Sequence, residues 1–173
     1  MNVKYDLLIT KSETLIQEIT YPQQVQLHKL FTNGAQWMLS CLNHIRNKDA
    51  RLPKDVAFEY YGWTKYLLCS FVAILPLFLS YWLAPISILL FYLVEVQLLF
   101  LFPLLIDGNK KSFKNSRLFT KKIGVFRAMM VVMRIALYML YGLCRKKDHL
   151  GNWYAGCLAV LILYEKINTN EES

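Results

Sequence analysis

The sequence is short of the residues that most catalytic and metal centres need. Three histidines are too few for a histidine-rich di-iron oxygenase or a multi-haem protein. There is no phosphate-binding glycine loop and no serine-nucleophile elbow, which removes the commonest nucleotide-binding and hydrolase patterns. The four cysteines, Cys41, Cys69, Cys144 and Cys157, include no C-x-x-C pair and no dense framework, so they are read as reduced, packed thiols. Cys41 and His44 are three apart, and His149 falls between Cys144 and Cys157. Two ligands do not make a site, however, and the spacing fits no standard zinc pattern. No metal and no cofactor are expected. "IDGNKK" is suggestive of metal-dependent phosphotransfer, yet Asp107 has no acidic neighbour in sequence with which to share a divalent cation. Asp107-Gly108 reads as a turn. No transporter-like internal repeat is present, and "MNVKYDLLITKSETL" lacks the charged-then-apolar pattern of a cleavable signal.

Two further scarcities are local. From Tyr66 to Ile106 there is no Lys, Arg or His and a single carboxylate, Glu95. A soluble core does not require such a run, whereas 18 or more apolar residues in a row read as membrane-spanning. Between Asp107 and Asp148, conversely, there are eleven Lys or Arg residues and no acid. Beside an apolar run the natural partner for that charge is an anionic lipid headgroup. Nucleic acid is not expected as a partner, because no recognition motif accompanies the charge.

What is present gives an all-α integral membrane protein with five regions. Residues 1–58 form a helical cytoplasmic lead. Within it, Ser12 is a candidate N-cap, Pro22 a candidate helix start, and Asn33-Gly34 a turn. "AQWMLSCLNHIRN" then places Trp37, Met38, Cys41, Leu42 and Ile45 on one face of an amphipathic helix. A lead of this size is small for an independent core, so its apolar stripe must lie on the bilayer, on the C-terminal segment or on a partner. Residues 59–108 form a transmembrane helical hairpin with spans at about 66–83 and 86–106. Tyr60, Tyr61, Trp63 and Tyr66 mark one end of the first span, and Tyr81 and Trp82 the other. Trp63 to Trp82 is about 28 Å of helix, close to the hydrocarbon thickness. Pro76 lies inside that span, where a kink is expected, and "LAP" makes the tip. Residues 109–122 are a basic cytoplasmic loop. Residues 123–166 hold two hydrophobic helices, Ile123–Leu143 and Asn152–Tyr164, either transmembrane or interfacial, with a slight preference for four short crossing segments. Residues 167–173 are a polar tail. Basic residues on both flanks of the hairpin put both chain termini on the cytoplasmic side of an inner or plasma membrane.

Glu95 lies nine residues after Ile86, about 14 Å into its span. A carboxylate at that depth costs about 2.5–3.5 kcal/mol on insertion scales. Gln97 is about 200° further round the helix, so the two polar side chains call for different neighbours, one of them beyond the first span. Arg134, near the middle of its own apolar segment, is the candidate partner of Glu95, with Arg127 seven residues earlier on the same face. Such a pair either fixes helix register or carries chemistry. Glu95, Arg134, His44 and Glu59 are therefore the candidate catalytic residues, the last two within a polar cluster that also holds Arg46, Asp49, Arg51 and Asp55. Lys110, Lys111, Lys114, Arg117, Lys121 and Lys122 are the candidate lipid-headgroup ligands. The leading expectation is an accessory, assembly or scaffold protein that binds anionic lipid together with another membrane protein or a second copy of itself. An enzyme acting on a lipid or isoprenoid substrate at the cytoplasmic interface is the alternative, and a small proton-coupled oligomeric transporter using Glu95 is the third.

Overall fold

The computed structural model describes residues 5–19, 29–144 and 150–169. Pro22, the "RKKDH" segment with His149, and the tail beyond Thr169 lie outside them. Among the described residues every regular element is helical: α1 (Tyr5–Glu18), α2 (Leu30–Arg46), α3 (Phe58–Leu79), a single 3-10 turn (Tyr81–Leu83), α4 (Ala84–Gln97), α5 (Leu101–Ile106), α6 (Ser112–Ile123), α7 (Val125–Leu143) and α8 (Gly151–Thr169). They belong to two compact units, one drawn from 1–54 and 130–173, the other from 55–129.

In the first unit α8 is the core. Its sequence "AGCLAVLILY" is apolar without a polar face, and Ala155, Leu158, Ala159, Leu161, Leu163 and Tyr164 are all buried. A helix that is hydrophobic all round must be covered on several sides. α1 and α2 both pack on it, burying Leu8 and Ile9 from the one and Trp37, Cys41 and Leu42 from the other. The lead thus has its apolar stripe on the C-terminal segment. α7 approaches at Gly156, where a Cβ would collide with the Met139 side chain and crowd Ile135. Trp37 rests on Tyr154 with ring centroids 4.8 Å apart. The half-buried Arg46 and Glu165 side chains form an ion pair between α2 and α8.

Two local expectations for this unit are corrected. Ser12 is no cap: it lies inside α1, buried, with its hydroxyl donating to the Ile9 carbonyl at 2.8 Å. Asn33-Gly34 is no turn: both residues belong to α2. In each case the apolar face that packs on α8 carries the helix through residues of weak helix propensity. The stop comes at Asn47, which has φ 50°. Asn43 fastens the chain beyond it, its amide donating to the Ala50 carbonyl at 2.9 Å and its Oδ1 accepting the Ala50 N–H at 3.1 Å.

In the second unit α3 and α4 pack on one another across the short turn that joins them. α3 begins at Phe58, a full two turns before the expected start of the first span, and continues through Pro76. The second apolar stretch, expected as one span over 86–106, is broken into α4 and α5. Pro103 has no N–H to donate to the Leu99 carbonyl, and the helix gives way on its N-terminal side. The Phe100 and Leu101 N–H groups would ordinarily bind the Val96 and Gln97 carbonyls. Here Phe100 N–H donates to Ser116 Oγ (3.2 Å) and Leu101 N–H to the Leu98 carbonyl (3.2 Å). α5 ends at Asp107-Gly108 with two crossing bonds, Asn109 N–H to the Leu104 carbonyl and Gly108 N–H to the Leu105 carbonyl, both 3.0 Å. Gly108 supplies the left-handed residue, φ 70°, that this closure requires.

Residues 112–123, expected within a basic loop, form the helix α6. The loop reading rested on charge, yet Ser112, Ser116, Phe119, Thr120 and Ile123 recur at helical spacing and are buried. Gly124, φ 92°, then separates α6 from α7.

Three helical stretches are long and apolar enough to cross a membrane, at Phe58–Leu79, Tyr81–Ile106 and Val125–Gly142. α8 is not among them. The surface of the second unit agrees with a lipid setting: Phe71, Phe78, Leu79, Tyr81 and Trp82 are all well exposed, the last at 92%. Soluble proteins rarely expose contiguous apolar surface on this scale. The chain is a membrane protein.

Candidate functional site

In the second unit the helix pair α3 and α4 exposes aliphatic and aromatic side chains and encloses a charged pair. α3 turns Phe58, Gly62, Lys65, Cys69 and Pro76 inward, one line along the helix at spacings of three, four and seven. The Lys65 side chain is 6% exposed. From α4, Glu95 reaches the same line. Lys65 Nζ lies 2.7 Å from Glu95 Oε1, and the Cys69 thiol donates to Glu95 Oε2 at 3.6 Å. The ammonium also sits 5.3 Å from the centre of the Tyr66 ring. Both carboxylate oxygens are engaged, one by a cation and one by a thiol, within an otherwise apolar helix pair.

The sequence reading paired Glu95 with Arg134. The structure gives the carboxylate a partner within its own unit, because α3 starts early enough to bring Lys65 two turns into the helix. A hydropathy criterion cuts the span at Tyr66 and discards the residue just before it. The usable signal was the line Gly62, Lys65, Cys69, which sets one small and two polar residues on a single helical face. Arg134 belongs to the other unit, where it is exposed on α7.

Gln97, two residues beyond Glu95, points to α6. Its Oε1 accepts the Arg117 Nε–H at 2.9 Å, and its backbone carbonyl accepts the Ser116 hydroxyl at 2.9 Å. Thr120 Oγ1 donates to the Val96 carbonyl at 2.8 Å. Ser116 and Thr120, four residues apart on one face, thus meet the backbone groups released by the break after α4. Sequence reasoning missed them, since two hydroxyls among lysines look like ordinary surface. The fit is completed by Tyr61 on Phe113 (5.7 Å between ring centres) and Phe100 on Phe119 (5.9 Å).

With one face of α6 committed in this way, the charges fall on the other. Lys110, Lys111, Lys114, Arg117, Lys121 and Lys122 are all exposed. On a helix of 100° per residue, Lys114, Arg117 and Lys121 form a narrow stripe opposite Ser116, Phe119, Thr120 and Ile123. Leu118, 43% exposed, lies beside it, between the stripe and Lys122. Basic side chains around an apolar one are suited to the boundary between headgroups and acyl chains.

Comparison with known proteins finds no matching family model, no matching curated protein and no matching solved structure.

The remaining candidates do not gather. His44 Nε2 is 3.2 Å from Glu18 Oε2 in an exposed position of the first unit, whereas Glu59 lies in the first turn of α3 in the second. Arg46, read as part of the same polar cluster, is occupied by Glu165. Arg127 is exposed on α7, like Arg134. Among the described residues no three His, Cys, Asp or Glu side chains are grouped as a metal ion would require. Cys41 is fully buried. Burial, with a smaller contribution from neighbouring Cys157, pushes its thiol up to about 12, so it is held as an inert packing group.

Proposed function

We propose that this protein is a membrane-anchored accessory or scaffold subunit that holds anionic lipid against a protein partner. In this reading α3 and α4 cross the bilayer as a hairpin, the basic face of α6 binds headgroups of the cytoplasmic leaflet, and the first unit is offered to the partner. The observation that carries it is the division of α6 into two faces. One is fixed to the end of the apolar helix pair by Ser116, Thr120 and Phe119, and the other presents Lys114, Arg117, Lys121 and Lys122, with Lys110 and Lys111 exposed just before the helix. A cationic face attached to a membrane anchor is held at headgroup level wherever the anchor inserts.

The Lys65–Glu95 pair supports a structural role for the acid over a catalytic or transporting one. Its charge is balanced by an ammonium at 2.7 Å, and burial in a matched pair is the arrangement that fixes helix register.

The test is native mass spectrometry of protein extracted in mild detergent and offered equal phosphatidylglycerol and phosphatidylcholine. The wild type should retain the anionic lipid. Lys110→Gln, Lys111→Gln and Lys114→Gln together should lower retention by about five-fold per lysine, the usual worth of a basic residue at an anionic surface. Unchanged retention would remove the headgroup role. Co-purification of a larger membrane protein supports the accessory reading, and turnover of a lipid by the isolated chain would replace it with the enzymatic one.

A further inference from the structure

α7 is as long as a bilayer is thick, but its surroundings are not those of a spanning helix. Its buried residues Ala128, Val131, Val132, Ile135 and Gly142 share one face. Within the first unit that side lies on α8: Ile135 and Met139 meet Gly156, and Asn152 donates to the Tyr138 carbonyl at 3.2 Å. Five residues before the end of α7, the Tyr138 hydroxyl donates to Glu13 of α1 at 2.6 Å. α1 is a water-facing helix, with Asp6, Lys11, Glu13 and Glu18 all exposed. Were α7 to cross the bilayer, α1 and the Glu165–Lys166 end of α8 would be drawn into hydrocarbon with it, where such residues are strongly disfavoured.

The opposite face of α7 is open and of another character. Phe126, Met130, Leu137 and Tyr141 are exposed along it, at 72%, 41%, 64% and 58%. Arg127 and Arg134, also exposed, lie along one edge. The helix has no acidic residue. An apolar strip bordered by cations on one side, with the water-facing α1 held behind it, matches the chemistry of an anionic bilayer surface.

We infer that α7 does not span the membrane but lies along the headgroup layer of an anionic leaflet, with Phe126, Met130, Leu137 and Tyr141 turned into the acyl boundary and Arg127 and Arg134 at phosphate level. This takes from the proposed function only that the protein is membrane-embedded, and it holds whether or not α6 binds lipid. It leaves two crossing stretches, so that the segments before α3 and after α6 emerge on the same side.

The experiment places a nitroxide at cysteines introduced one at a time, F126C, M130C, L137C and Y141C, in a C144S background. The protein is in nanodiscs of mixed phosphatidylglycerol and phosphatidylcholine, and depth is read from collision with oxygen against a water-soluble nickel chelate. The four depths should agree within about 5 Å, at the shallow burial of interfacial helices. A steady progression over about 22 Å from position 126 to 141, the rise of fifteen helical residues, would overturn the inference, as would four labels in water. F71C on α3 reports separately on the anchor: a deep label there keeps the membrane reading intact whichever way α7 falls. In anionic discs R127Q/R134Q should lower the immersed fraction at position 137, by about five-fold for each guanidinium removed. No dependence on the arginines or on phosphatidylglycerol would overturn the headgroup assignment.

Discussion

Replacing Lys65 by methionine is the most direct test of what holds the apolar helix pair together. In the wild type the ammonium and carboxylate are 2.7 Å apart with side chains 6% and 16% exposed. At an effective dielectric of ~20 their attraction is about 6 kcal/mol, most of it offset by the loss of hydration. Methionine fills nearly the same volume but leaves Glu95 with only the thiol of Cys69. Removing one partner of a buried pair costs about 3–5 kcal/mol, because the remaining charge stays uncompensated. That corresponds to more than a hundredfold in the folding equilibrium at about 1.4 kcal/mol per decade. Replacing both groups, K65M/E95L, removes the desolvation along with the attraction and should return stability to wild type or above it. Charge reversal, K65E/E95K, should recover most of the loss, as the pair can form in the opposite sense. Equilibrium unfolding by SDS in mixed micelles, followed by helical circular dichroism, measures these four proteins and the single variant E95L, which closes the cycle. A K65M midpoint equal to wild type, or single-substitution losses that simply add in the double variant, would refute the claim that these groups are coupled.

Two other outcomes follow from the same geometry. Ser116→Ala should cost more than Thr120→Ala in thermal unfolding, because Ser116 serves both the Phe100 N–H and the Gln97 carbonyl while Thr120 serves Val96 alone; each buried group left unpaired costs about 1–3 kcal/mol. Cys41 should resist maleimide at pH 8 while exposed Cys144 reacts. With its thiol at about 12 against 9.0 in the open chain, the stability it confers is complete below pH 9 and declines as pH rises from 9 towards 12, since the unfolded chain ionises first; denaturant midpoints across that range measure the decline.

Helix content and the main apolar stretches were legible because each depends on local pattern. The Asp107-Gly108 stop also has a sequence-level cause, the left-handed residue that closes α5. The stripe of α2 was legible too, though not its start, since Asn33-Gly34 signals a turn wherever no packing overrides it. The partner of Glu95 was harder. Lys65 stands one residue outside the hydrophobic run, and only the register of two packed helices shows that it faces the acid. The break after Gln97 was written in Pro103, but its remedy lies in Ser116 and Thr120, nineteen and twenty-four residues away from the carbonyls they serve. Nothing local marks a surface hydroxyl as the replacement for a missing helical rung. α6 was hidden for a related reason, since its charges dominate any averaged hydropathy and its buried face is made of serine, threonine and phenylalanine.

Those hydroxyls give α6 a constraint that its charge alone does not. Pulling it away would take the Ser116 hydroxyl from the Gln97 carbonyl and the Phe100 amide, and the Thr120 hydroxyl from the Val96 carbonyl, which the Leu99 N–H also serves. Its cationic side can therefore neither drift nor be traded for a longer basic segment without unravelling the helix beneath it. Any force that lipid exerts on those lysines is delivered straight to the backbone of the second apolar stretch, two residues from the acid.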